Sequence, residues 1–90
     1  MQPLKSFAGG LIADIVRRQP PSPARTAFAW QLVVGPALAR ATSVHIEGTT
    51  LHVAAQDERW LREISRAQAT IVPRLQEVLG KQAITKISTR

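Results

Sequence analysis

Residues 43–55 read Ser-Val-His-Ile-Glu-Gly-Thr-Thr-Leu-His-Val-Ala-Ala. Val44, Ile46, Leu51 and Val53 alternate with polar residues on either side of Gly48-Thr49. An apolar period of two, interrupted by a glycine-led pair, is the pattern of a β-hairpin. With Gly48 and Thr49 as the loop, Glu47 pairs with Thr50, Ile46 with Leu51, His45 with His52, and Val44 with Val53. Val44, Ile46, Leu51 and Val53 then share one face, because successive strand residues point to opposite sides. Ser43, His45, Glu47, Thr50, His52 and Ala54 take the other. One face should meet helices and the other solvent or a partner.

Upstream of the hairpin, Ser22-Pro23 is a helix start, a hydroxyl cap followed by proline in the first turn. The helix should run through Ala27, Trp30, Leu32 and Val33-Val34 until Gly35-Pro36 breaks it, with a further short turn over residues 37–41. Nearer the N-terminus, Leu4, Phe7, Ala8, Leu11, Ile12, Ile15 and Val16 recur at steps of three and four. They predict another helix with one apolar stripe. Gly9-Gly10 weakens it by roughly 1 kcal/mol per glycine. Gln19-Pro20-Pro21-Ser22-Pro23 then forms a stiff linker. The chain therefore divides into an N-terminal helix with its linker, residues 1–22, and a body, residues 23–90.

Downstream, Asp57 is placed to cap a helix with Trp60, Leu61 and Ile64 as its core stripe. Pro73 cannot donate a helical hydrogen bond, so two helices or one kinked helix should meet near residues 69–72. Ile71, Leu75, Val78 and Leu79 form the next stripe, and Gly80 should end it in the left-handed conformation. Residues 83–88 are rich in β-branched side chains and predict a last strand. The fold expected is α+β, a three-stranded sheet with helices on one face in the order α-β-β-α-α-β, plus the extra N-terminal helix. Its core should contain Trp30, Gly35, Ile46, Leu51, Val53, Trp60, Ile64 and Leu75.

Composition narrows the function. There is no cysteine, which removes disulfides, zinc ribbons and thiol catalysis and fits a reducing compartment. No apolar run reaches membrane-spanning length. Asp14 interrupts the N-terminal apolar stretch, and Arg17-Arg18 follow where a cleavage site would need small residues. A cytoplasmic protein without membrane contact is expected. Twelve Lys and Arg face six Asp and Glu, a net charge of +6, which favours polyanionic partners.

Arg59, Arg62 and Arg66 fall on one side of a helix, with Glu58 and Glu63 at pairing distance. They fit either a solvated, salt-bridged face or a phosphate-contacting strip extended by Arg74, Lys81, Lys86 and Arg90. Arg17-Arg18, Arg25 and Arg40 form a more diffuse basic group. The aromatic content is 4%, so Trp30 and Trp60 are read as core anchors rather than base-stacking platforms. His45 and His52 with Glu47 fall short of a closed zinc shell, so no metal site is expected. No paired carboxylates and no glycine-rich phosphate loop followed by lysine are present. A non-enzymatic protein without a cofactor is expected.

From Ala27 onward an ordered set of residues carries a resemblance. It consists of Trp30 with Val33-Val34-Gly35, Leu38-Ala39, Thr42, Gly48, Leu51, Val53, Trp60, Glu63-Ile64, Leu75 and Leu79-Gly80. In this set and its spacing the chain resembles the DciA-like family. The resemblance implies a module similar to a type II KH domain, a role in binding the replicative helicase DnaB and loading it on DNA, and binding to single-stranded DNA. Two positions depart from the pattern. Ala41 stands where the family often has histidine. Residues 67–70 lack the Gly-x-x-Gly with which KH domains clamp a nucleic-acid backbone. The function expected is a non-enzymatic replication accessory that docks on the helicase and holds single-stranded DNA through Arg59, Arg62, Arg66, Arg74, Lys81, Lys86, Arg17 and Arg18. The alternative is a general single-stranded DNA- or RNA-binding KH-like module without a helicase partner.

Overall fold

The protein is described here by a computed structural model that places residues 15–89. The expected N-terminal helix falls mostly outside the described residues; residues 15–18 are helical. Val16, at 4% exposure, joins the core of the body.

The first full helix, α1, spans Pro23–Val34. Ser22 is its N-cap, accepting a 3.0 Å hydrogen bond from the Arg25 backbone N–H, and Pro23 opens the first turn. Its buried face is Thr26, Ala29 and Trp30, with Val33 partly buried. The helix runs through Ala27, Trp30, Leu32 and Val33-Val34 as expected. Phe28 and Leu32 are exposed, because a helix covering one side of a sheet buries only one arc of its surface. After Gly35, a short helix α2 covers Pro36–Ala41.

Strands β1, Thr42–Glu47, and β2, Thr50–Ala55, form the hairpin. They pair in the expected register, with Val44 opposite Val53, His45 opposite His52 and Ile46 opposite Leu51. Gly48 adopts φ 65° at the first loop position, the sign that a type II′ turn requires there and a β-carbon resists. Leu51 and Val53 are buried, while Val44 and Ile46 are half-buried against the core.

Helix α3, Glu58–Arg66, is followed almost without a break by α4, Gln68–Leu79. The junction is Ala67, not residues 69–72 as expected, and Pro73 lies inside α4. Pro73 and Ala69, one turn earlier, are both exposed. Water can therefore reach the carbonyl that proline leaves unbonded, which makes the interruption tolerable. Gly80 caps α4 with φ 110° and ψ 146°. This is the extended region open to glycine, not the left-handed helical conformation expected. The carbonyls of Glu77 and Leu79 near this helix end accept from the Arg17 and Arg25 guanidinium groups, cations at the negative end of the helix dipole.

The last strand, β3, is only Lys86–Ser88 and pairs parallel with β2. The sheet order is β1-β2-β3. The strand starts later than residue 83 because residues 81–83 form the turn after Gly80, the Ala83 N–H donating to the Gly80 carbonyl at 3.2 Å; Gln76 Nε2 then donates to the Ile84 carbonyl at 2.8 Å. On the edge of β3, the Ile87 N–H donates to Gln68 Oε1 at 3.2 Å. Thr85 ties β3 to the hairpin loop through its N–H to the Thr49 carbonyl at 2.8 Å.

One core joins these layers. Trp30, Leu51, Ile64, Leu75, Ile84 and Val53 are its largest fully buried side chains. Trp60, expected among them, is 40% exposed. It sits in the first turn of α3, and Ile64, one turn on, is the buried residue of that helix. Gly35 joins α1 to α2 rather than packing in the core. The sheet face bearing Ser43, His45, Glu47 and Ala54 is exposed.

Candidate nucleic-acid interface

A cleft of about 580 Å³ opens at the end of the hairpin away from its turn. Four elements build it. Arg40 comes from the end of α2, Thr42 and Ser43 from the start of β1, Ala54 and Ala55 from the end of β2, and Trp60 from α3. Thr42 has a structural duty at this rim. Its hydroxyl accepts the Trp30 indole N–H at 2.9 Å and donates to the Leu38 carbonyl at 2.8 Å. The buried indole thus has its partner, as a desolvated donor must.

Asp57, also in the cleft wall, fixes the start of α3. Its carboxylate accepts from the Arg59 backbone N–H at 2.9 Å and from the Arg59 guanidinium at 3.0 Å and 3.2 Å. The Arg59 side chain above all, then its backbone N–H, holds the Asp57 carboxyl below its ordinary value.

A second, smaller hollow of about 250 Å³ lies between Arg59, Trp60 and Glu63. Trp60 therefore borders both the cleft and the exposed side of α3. On that side stand Arg59, Arg62 and Arg66, all exposed. Arg59 is tied to Asp57, and Arg66 lies 3.8 Å from Glu63. Among the described residues, Arg40, Arg62, Arg74, Lys81 and Lys86 form no ion pair.

The structure thus brings three of the sequence-predicted basic residues onto one helix face. Arg74 comes from α4, Lys81 from the turn after it and Lys86 from β3. Arg17 is engaged with the Glu77 carbonyl, and Arg18 follows it just before the proline linker. Two site features were not legible in the sequence. Arg40 reaches the cleft only because α2 ends beside the hairpin. Trp60 is an accessible aromatic, although its spacing from Ile64 gives it the signature of a core residue.

On the open face of the hairpin, the stacked rings of His45 and His52 have centroids 4.9 Å apart. Glu47 Oε1 lies 3.3 Å from His52 Nε2. No helix among the described residues is long and apolar enough to cross a membrane.

Neither the curated proteins nor the solved structures yield a match to this chain. A family model described as "Dna[CI] antecedent, DciA" matches residues 3–89. With essentially the whole chain matched, the protein belongs to the DciA family, whose role is related to replicative helicase loading.

Proposed function

We propose that this chain is a non-enzymatic accessory of helicase loading that engages a DnaB-like replicative helicase in the cytoplasm and holds single-stranded DNA along α3. The family match over residues 3–89 is the observation that carries the helicase role. The element order after residue 22, with β3 parallel to β2, supports a KH-like body of type II. The mode of DNA contact differs from that of a KH domain. Residues 65–68, at the α3–α4 junction, contain no glycine, so the backbone has no place for a phosphate to approach closely.

Contact falls instead to side chains. The exposed indole of Trp60 offers a face on which a base of any sequence can stack. Arg40 in the cleft and Arg62 and Arg66 along α3 supply charge for the flanking phosphates. Arg59 contributes through the donors its bond to Asp57 leaves free. Arg74, Lys81, Lys86, Arg17 and Arg18 strengthen the positive field around this track. The chemistry is positional, since raising the local concentration of a strand beside the helicase needs no bond to be made or broken.

Trp60 gives a clean test because it lies outside the core. Trp60→Ala should weaken binding of a fluorescent single-stranded oligonucleotide roughly fivefold to a hundredfold, the value of one stacked base, and leave thermal unfolding nearly unchanged. The chain should co-elute with the replicative helicase of the same cell, and reversing the charge of Arg59, Arg62 and Arg66 should abolish oligonucleotide binding. Oligonucleotide binding without any helicase complex would leave the general nucleic-acid module. ATP hydrolysis by the purified chain alone would overturn the non-enzymatic reading.

A further inference from the structure

We propose that His45, Glu47 and His52 form a binding site for a zinc-class divalent ion on the open face of the hairpin. The residues converge because of the strand register. His45 and His52 are directly paired across β1 and β2, and Glu47 lies two residues beyond His45 on the same face. The imidazoles stack with 14° between ring planes. Candidate ligand atoms from all three residues lie within 4.8 Å of one another.

A tetrahedral zinc ion, about 2.0–2.1 Å from each ligand, needs donors roughly 3.3 Å apart. Closing the remaining gap takes only side-chain rotation. His45 and Glu47 are exposed, and the backbone beneath them is fixed by the hairpin ladder. Two imidazoles and one carboxylate suit zinc, nickel or copper; magnesium and calcium prefer all-oxygen shells. No described helix covers this face, so a water completes the coordination shell. Glu47 Oε1 already lies 3.3 Å from His52 Nε2, the spacing that two donors to one tetrahedral ion require.

The site lies on the turn half of the hairpin, whereas the Trp60 cleft lies at its other end. The two are separable by mutation. Isothermal titration of zinc chloride into the full, tag-free chain should give a saturable isotherm for one ion per chain. Zinc, and not magnesium, should raise the melting temperature, because an ion that binds only the folded hairpin stabilises it by mass action. His45→Ala and His52→Ala should each weaken zinc binding at least about tenfold, and Glu47→Gln by a comparable factor. Oligonucleotide binding should be unchanged in all three, and Trp60→Ala should leave zinc binding intact. NMR resonances of the two imidazoles should move on zinc addition. A titration that does not saturate overturns the site, as does one that the histidine substitutions leave unchanged.

Discussion

Trp30 and Trp60 show how far a single residue's fate depends on its neighbours. Both occupy apolar positions in helical spacing, yet Trp30 is 2% exposed and Trp60 40%. Trp30 can be buried because Thr42 satisfies its indole N–H, a partner twelve residues away that no periodicity reveals. Thr42→Val keeps the shape but removes the acceptor, and should cost about 1–3 kcal/mol, the penalty for an orphaned buried donor. Thr42→Ser should restore most of it, and urea unfolding of the pair separates the hydroxyl from the methyl group. Asp57 acts at the same scale with a pH signature. Its carboxyl is held below the usual 3.8 by Arg59, so its folded value lies below its unfolded one. Its contribution is then present above the unfolded value and is lost as pH falls through the folded value. The wild type should therefore be more stable than Asp57→Ala at pH 7 and lose that advantage in strong acid. An advantage constant from neutral to strongly acidic pH would show that the carboxylate charge is irrelevant to the cap.

At the scale of elements, what could be read from the sequence is local. The hairpin was legible to its register because alternation and Gly48 specify it together. The start of α1 was legible because Ser22 and Pro23 are adjacent capping signals. What escaped depends on contacts between distant segments. Gln76 and Gln68 reach from α4 to the backbone of Ile84 and Ile87, and these side chains take up backbone groups that a three-residue β3 leaves without a strand partner. Of the family residues, Trp30, Leu51, Val53, Ile64, Leu75 and Leu79 are buried, but Trp60 stands exposed beside an opening that the pattern does not reveal. Pro73 did not end the helix, since it and Ala69, four residues earlier, lie on the exposed side of α4, where water can replace the missing partner. Its exposed position makes a clear prediction. Replacing an interior proline can relieve up to about 3 kcal/mol of helix cost, while added freedom in the unfolded chain takes back about 0.4–1 kcal/mol. The first effect is larger, so Pro73→Ala should raise the urea midpoint, with an unchanged slope. A lowered midpoint would mean that the proline is matched to a local bend in α4.

For the whole molecule, the question is how a net charge of +6 is distributed between structure and binding. Part of it is internal, since Arg17 and Arg25 hold the end of α4 and Arg59 holds Asp57. The excess that can meet phosphates directly is smaller than the formal charge, and salt dependence measures it. If a single strand contacts Arg40, Arg62 and Arg66, about three phosphates are neutralised. With about 0.7 counterions released per phosphate on single strands, the logarithm of affinity should fall against the logarithm of salt with a slope near −2. Six phosphate contacts would give a slope near −4. Arg62→Ala should reduce the slope by about 0.7 as well as weakening binding, because it removes one phosphate contact. Trp60→Ala should lower affinity and leave the slope unchanged, because stacking releases no counterions. The two substitutions thus act on different axes of one plot. A strand track along α3 requires that separation, and equal slopes for the wild type and Arg62→Ala would move the phosphates to another face of the molecule.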